Sequence, residues 1–430
     1  MKLLIKGGRV IDPENRMDEV LDLLVEGDKI SKAEKNIKCP ADKIIDAADK
    51  IVIPGLVDLH AHLREPGRED KETVLSATRA ALKGGVTTIL AMPNTSPAMD
   101  SPENVALLQE IIRRDAQTNV LICGAITMAR QGRELTDIAG LKKAGVRAVS
   151  DDGSAVDNEQ LFFEALKKAK EEKVLVTCHC EDRLLSNKGV VNLGFTSTRL
   201  GLRGISRESE YKRIERDICL AEKAKASIHI AHVSCKESVE IIAIAKKRGV
   251  HLTCEACPHH FSLSEEDVLD YDANKKMNPP LRGKEDVEAI RQGLKDGIID
   301  AIASDHAPHT ENEKDIEFER AEFGVIGLET MLAVSITELV SGGILNWPNL
   351  VRRMSLGPAK ILGLDKGTLG AGCVADIAVV DPEKEWTVEK GGFVSKSRNS
   401  AFLGRKLKGV VEYTIHNGII AYPFDNGICR

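Results

Sequence analysis

The sequence predicts an α/β protein, a (β/α)8 TIM-like barrel with a small β-sandwich domain assembled from both chain ends. Three observations carry that expectation. Eight apolar strand-like runs alternate with segments of helical period in the middle of the chain, both ends carry hairpin-type runs instead, and polar residues gather at the carboxyl ends of the central runs. A length of 430 residues accommodates one large barrel plus an accessory.

The N-terminal part, 1–53, reads as short strands joined by tight turns. Leu3-Leu4-Ile5 runs into Gly7-Gly8, Leu23-Leu24-Val25 runs into Gly27-Asp28, and a third apolar stretch covers 44–53. The barrel is expected over 54–362, with strands at 56–62, 86–94, 120–127, 146–152, 174–180, 227–234, 251–258 and 300–306. Apolar residues at helical spacing follow most of them, as in 74–82, 161–169, 239–245 and 287–294. No G-x-G-x-x-G follows the first run, which counts against an open dinucleotide-binding sheet. The charged stretch 311–322 reads as a long, solvated loop of the kind that covers a barrel site. The C-terminal part, 363–430, returns to strand style at 374–380 and 410–415, and Asn417-Gly418 before Ile419-Ile420 is a hairpin signal.

Composition narrows the class. Hydrophobic residues make up 42% and charged residues 29%, as in ordinary globular proteins. Only 2 Trp, 4 Tyr and 9 Phe are present, so the core must be filled by Ile, Leu, Val and Ala. A net charge of −6 of mixed signs argues against a nucleic-acid partner. No stretch approaches the ~20 apolar residues of a membrane span, so no membrane partner is expected. Charges interrupt the first dozen residues, unlike a signal peptide, and ten cysteines read as reduced thiols of a cytoplasmic protein. Cys254 and Cys257 form a C-x-x-C with no second pair at zinc-ribbon spacing, and are read as incidental.

The strand ends carry the chemistry. The first run ends in Asp58-Leu59-His60-Ala61-His62, where two imidazoles two residues apart point to one side of a strand. The fourth ends in Asp151-Asp152, the fifth in His179, the sixth in His232 and the eighth in Asp305-His306. Imidazole and carboxylate together suit Zn2+ or a similar first-row ion. Six such ligands exceed what one open catalytic ion needs, so two ions sharing a carboxylate is the natural solution. Arg64 follows the H-A-H and offers a bidentate clamp for a carboxylate. Asn94, Asn278 and His309 are further candidates on the same rim. His229 reads as core or opposite-facing, His251 and His416 as structural, and His306 as pointing away from Asp305. His259 and His260 stay unassigned.

Taken together, H-A-H-L-R-E-P-G (60–67), A-M-P-N-T (91–95), D-D-G (151–153), H-C-E-D (179–182), H-V-S (232–234), M-N-P-P-L-R (277–282) and S-D-H-A-P-H (304–309) resemble the motifs of the longer, bacterial type of dihydroorotase, in the amidohydrolase superfamily. The resemblance runs from Leu3 to about Tyr422. It implies zinc-dependent, reversible cyclisation of N-carbamoyl-L-aspartate to L-dihydroorotate, the third step of de novo pyrimidine biosynthesis. Metal-activated water is then the nucleophile and Asp305 the general acid and base. It further implies that His60, His62 and Asp305 hold one zinc, His179 and His232 the other, and that Asp152 bridges them. Arg64, Asn94, Asn278, His309 and the backbone at Phe323-Gly324 would bind substrate, with His62 at the edge of that set. Hydantoinases, dihydropyrimidinases and allantoinases bridge their metals with a carboxylated lysine near the fourth strand. The stretch 146–152 here, Val-Arg-Ala-Val-Ser-Asp-Asp, has no lysine. A homodimer and a complex with aspartate carbamoyltransferase are the partners that the resemblance suggests. Cys235 after H-V-S, and Cys254 to Cys257, depart from the family pattern without touching a site position.

Overall fold

A computed structural model describes residues 1–424, so the last positions of the expected 363–430 segment lie outside the described residues. Eight strands, Leu56–Ala61, Val86–Ala91, Asn119–Gly124, Ala148–Val149, Leu175–Cys178, Ile228–Ile230, Leu252–Ala256 and Ala301–Ile302, pair in parallel and in chain order. The two ends of this sheet meet. Ala61 bridges His306 in parallel, and the His62 amide donates to the His306 carbonyl at 2.8 Å. The sheet is therefore a barrel, and its first two strands are buried along their whole length, as strands covered on both faces must be.

The helices cover it by the expected periodicity. Glu159–Glu172 buries Phe162, Ala165, Leu166 and Ala169, one stripe at i, i+3, i+4 and i+7, and Asn158 caps its start by accepting from Leu161 N. Val74–Lys83, Lys236–Lys247 and Lys284–Asp296 occupy the other helical segments read from the sequence. The fourth and eighth strands are shorter than expected, two residues each. Their polar ends leave the ladder because side chains take over the bonding. Asp58, fully buried, accepts from Ser304 N at 2.9 Å and from the Ser304 hydroxyl. Asp151 accepts from Ile126 N at 2.9 Å and Thr127 N at 3.0 Å.

Both chain ends join one eight-stranded mixed sheet, in the order Ile419–Tyr422, Lys406–His416, Ile377–Thr387, Ile51–Pro54, Lys2–Asp12, Met17–Glu26, Lys29–Glu34, with Lys43–Asp46 also on Lys2–Asp12. The sheet curls over its own core of Leu3, Ile5, Leu23, Val25, Ile377, Val379 and Ile415. Its far edge bonds back ahead of Ile377, where Ile30 N donates to Cys373 O at 2.9 Å and Ala375 N to Asp28 O at 2.8 Å. The Asn417-Gly418 turn has φ +49° and +76°, as a two-residue type I′ hairpin turn requires.

The stretch 311–322 is mostly exposed, as a solvated loop should be, but part of it is ordered and buried. It opens with a short helix, Glu311–Lys314, and buries Lys314, Phe318 and Ala321. The Lys314 ammonium donates to Glu322 O at 2.8 Å and Gly324 O at 2.9 Å, and Lys276 donates to the carbonyls of Phe318, Glu319 and Ala321. Carbonyl groups satisfy these buried charges. A segment of the C-terminal part also crosses to the barrel mouth. Lys396 N donates to Glu72 at 3.0 Å, the Ser397 hydroxyl donates to Lys71 O at 2.7 Å, and Asn399 Oδ1 accepts from His309 N at 3.2 Å.

Candidate metal centre and substrate pocket

The histidines and aspartates read from the sequence meet at the carboxyl ends of the barrel strands. Asp152 sits among them. Its Oδ1 lies 3.2 Å from His60 Nε2, 3.6 Å from His179 Nδ1 and 3.5 Å from His232 Nε2, and its Oδ2 lies 3.4 Å from His62 Nε2. Asp305 Oδ1 is 3.3 Å from His62 Nε2 and 3.7 Å from His60 Nε2. His179 Nδ1 and His232 Nε2 approach to 2.9 Å. All six residues are buried. Two overlapping triads, His60 with His62 and Asp305, and His60 with Asp152 and His232, each bring ligand atoms within 4.8 Å of one another.

This donor set fits metal. His60 Nε2 and Asp152 Oδ1 are fully buried, yet neither finds a hydrogen-bond partner among the described residues. Orphaned buried polar atoms are costly unless a cation satisfies them. The backbone is also held in an uncommon region there, with φ +33° at His232, +45° at Asp305 and +63° at Arg64. Non-glycine residues in that region persist where the surrounding structure over-determines them.

Groups behind these side chains fix their rings. Glu255 Oε1 is 2.9 Å from His60 Nδ1 and Oε2 is 3.0 Å from His229 Nε2. Burial raises the Glu255 carboxyl, but the two histidines outweigh it and hold it down to about 2. Asn94 Oδ1 accepts from His62 Nδ1 at 2.8 Å, so His62 Nε2 is left free of its hydrogen. Glu181 Oε2 stands 3.3 Å from His179 Nε2 and accepts from Asn278 Nδ2 at 3.0 Å.

The other candidates line the mouth. Arg64 Nε donates to Pro308 O at 3.0 Å, and its Nη2 lies 3.2 Å from His309 Nε2. Burial lowers the Arg64 guanidinium to about 10, which still leaves it charged near neutrality. His309 Nε2 is 2.8 Å from Phe323 O, and Gly324 O accepts from Lys314 and Asn399. His306 turns away, with its Nε2 3.3 Å from Glu72. His229 is buried behind His60, His416 bonds Asp376 at 3.1 Å, and His251 is exposed ahead of its strand. Cys254 and Cys257 do not act together. Cys254 Sγ faces Ile298 O, whereas Cys257 lies with His259 and His260 in a separate buried group, and His260 Nε2 donates to Pro279 O at 3.0 Å.

Sequence reasoning did not pick out Glu255, Glu181, Lys71 or Asn399. Glu255 carried a signal, because a carboxylate inside the buried run Leu252–Ala256 must have a partner.

Comparison with known proteins agrees with this geometry. A family model described as dihydro-orotase-like matches residues 49–238. The dihydroorotase of Elusimicrobium minutum (strain Pei191) is 52% identical over 430 residues, covering 100% of this chain and 99% of that protein. That of Geotalea daltonii is 50% identical over 426 residues, covering 99% and 100%. Among solved structures, the L-hydantoinase of Arthrobacter aurescens superposes with a TM-score of 0.89 at 24% identity, covering 97% of this chain and 95% of that one, a likeness of fold. The barrel, the buried His/Asp cluster and identity of about half along the whole length agree: the chain belongs to the dihydroorotase family.

Proposed function

We propose that this protein catalyses the reversible cyclisation of N-carbamoyl-L-aspartate to L-dihydroorotate with release of water, in pyrimidine biosynthesis. The observation that carries the reading is the Asp152 cluster, three imidazoles within 3.6 Å of one unpartnered carboxylate oxygen, in a chain half identical to dihydroorotases. We take 54–362 as the catalytic barrel and 1–53 with 363–430 as the small β-domain.

The donor set suits two zinc ions. His60, His62 and Asp305 would hold one, His179 and His232 the other, and Asp152 both. Such ions, when bound, acidify water and polarise the reacting carbonyl. Asp305 removes a proton from the attacking water in the hydrolytic direction and returns it to the leaving ring nitrogen. In the biosynthetic direction it takes the proton of the ureido nitrogen as that atom attacks the side-chain carboxyl. Both substrates carry a free α-carboxylate, which Arg64 clamps through its outward nitrogens, with His309 Nε2 beside it. Asn94 has its oxygen on His62 and keeps its amide hydrogens for the ligand, while Asn278 has an amide hydrogen on Glu181 and keeps its oxygen. The backbone at Phe323-Gly324 closes the far side.

A panel of L-dihydroorotate, hydantoin, dihydrouracil and allantoin tests the reading. Ring opening of dihydroorotate far above the other three supports it. Preference for any of the others overturns it.

A further inference from the structure

We propose that Lys71 is a positioning residue for the substrate pocket: its ammonium donates to His309 Nδ1 and so holds His309 as the tautomer whose hydrogen sits on Nε2. The inference rests on the reading that Arg64 clamps the substrate carboxylate beside His309.

Lys71 Nζ lies 3.0 Å from His309 Nδ1, and both side chains are buried, at 4% and 5% exposure. A lysine ammonium can only donate, so Nδ1 must accept. The hydrogen of a neutral ring then belongs to Nε2. That placement agrees with the other side of the ring, where the Phe323 carbonyl, which can only accept, stands 2.8 Å from Nε2. Arg64 Nη2, also a donor, is 3.2 Å from the same nitrogen. The single Nε2 hydrogen is taken by the Phe323 carbonyl, so Nε2 cannot accept from Arg64, and the Arg64 hydrogen beside it stays free for an acceptor such as a carboxylate.

The alternative tautomer has a ready partner. Glu313 Oε2 is 3.4 Å from His309 Nδ1, and Glu313 Oε1 is 2.9 Å from Lys71 Nζ. Lys71 thus stands between a carboxylate and an imidazole that would otherwise share a hydrogen. The charged groups facing His309 are Arg64, Lys71 and Lys314, which oppose its protonation after burial itself, and Glu313, which favours it. Removing the lysine leaves Glu313 free to draw the hydrogen to Nδ1. Nε2 then becomes an acceptor, which faces the Phe323 carbonyl and takes the Arg64 hydrogen away from the ligand.

The test uses the metal-loaded enzyme and three variants, Lys71→Met, Lys71→Arg and the double variant Lys71→Met/Glu313→Gln. Histidine labelled with 15N reports the tautomer directly, with the His309 signals assigned by their loss in His309→Asn. The wild type is expected to show a hydrogen on Nε2 and a bare Nδ1. In Lys71→Met the hydrogen moves to Nδ1, and KM for dihydroorotate rises about tenfold near pH 8 while kcat stays within about twofold. KM in that variant recovers on acidification, as the imidazolium regains the Nε2 hydrogen, a pH dependence the wild type lacks. Lys71→Arg restores both readouts, and Glu313→Gln in the Lys71→Met background restores part of KM. A wild-type spectrum with the hydrogen on Nδ1, or a Lys71→Met variant with unchanged tautomer and KM, overturns the proposal. If Lys71→Met does not fold, the wild-type spectrum and Lys71→Arg still decide. If the wild type turns over no dihydroorotate, the functional reading fails, while the tautomer still decides the role of Lys71.

Discussion

Glu255 Oε1 lies 2.9 Å from His60 Nδ1, and the same carboxylate reaches His229 at 3.0 Å. This pairing puts the His60 hydrogen on Nδ1 and turns a bare Nε2 toward Asp152, which is what a metal ligand requires. Replacing the carboxylate frees the ring to change tautomer. Glu255→Gln is expected to weaken metal binding by about 10- to 100-fold, read by competition with a chelator. Unchanged affinity would contradict the role.

Among the described residues, Asp152 is the one carboxylate within 3.6 Å of His60, His62, His179 and His232 together. Asp152→Ala should therefore lower the metal content measured on purified protein. Two tightly held ions per chain after the change would count against a shared ligand.

Arg64 is expected to act on substrate rather than on metal. Arg64→Ala should raise KM by about tenfold or more, for loss of a charged hydrogen-bond pair, with metal content unaltered. An unchanged KM would sink the assignment.

Asp305→Ala should reduce turnover by about 10³-fold or more, as expected when a proton-transfer group and a metal ligand are lost together. Substantial residual activity would refute the acid–base role.

Glu210 tests the scaffold. It accepts from Ser234 N at 2.9 Å and the Ser238 hydroxyl at 2.8 Å, and faces buried Arg282 at 3.5 Å. Burial would raise its pKa, but Arg282 and the serine donors outweigh it and hold it below the ordinary value of 4.5. A depressed folded pKa means the stabilisation is complete above the ordinary range and is lost as pH falls through the folded value. Glu210→Ala should cost about 3–5 kcal/mol in urea unfolding at neutral pH, because it strands Arg282. The gap from wild type should narrow on acidification; a gap independent of pH would contradict the ion pair.

Much of the site was legible because barrel chemistry is tied to strand ends. His60 and His62 share a side through the two-residue strand period, and His179, His232 and Asp305 each follow a short apolar run. The supporting shell was less legible, because its partners come together only in three dimensions. Asn399 and Lys71 reach His309 from opposite parts of the chain, and no local pattern links them. The 311–322 stretch read as solvated because charge usually means water. Most of it is exposed, but Lys314 is buried and satisfied by carbonyl groups, as is Lys276 packed beside it. The left-handed backbone at His232 and Asp305 is likewise a product of packing, since neither residue type announces it.

A metal titration probes the Asp152 centre and the dihydroorotase activity together. Purified protein is stripped of metal and then reloaded stepwise with Zn2+, while ring opening of L-dihydroorotate is followed. The expected result is no activity without metal and a rise that saturates as the His/Asp cluster fills, with Asp152→Ala failing to recover. Full activity in the stripped protein, or no turnover of dihydroorotate at any metal content, would rule out a metal-dependent dihydroorotase centred on Asp152.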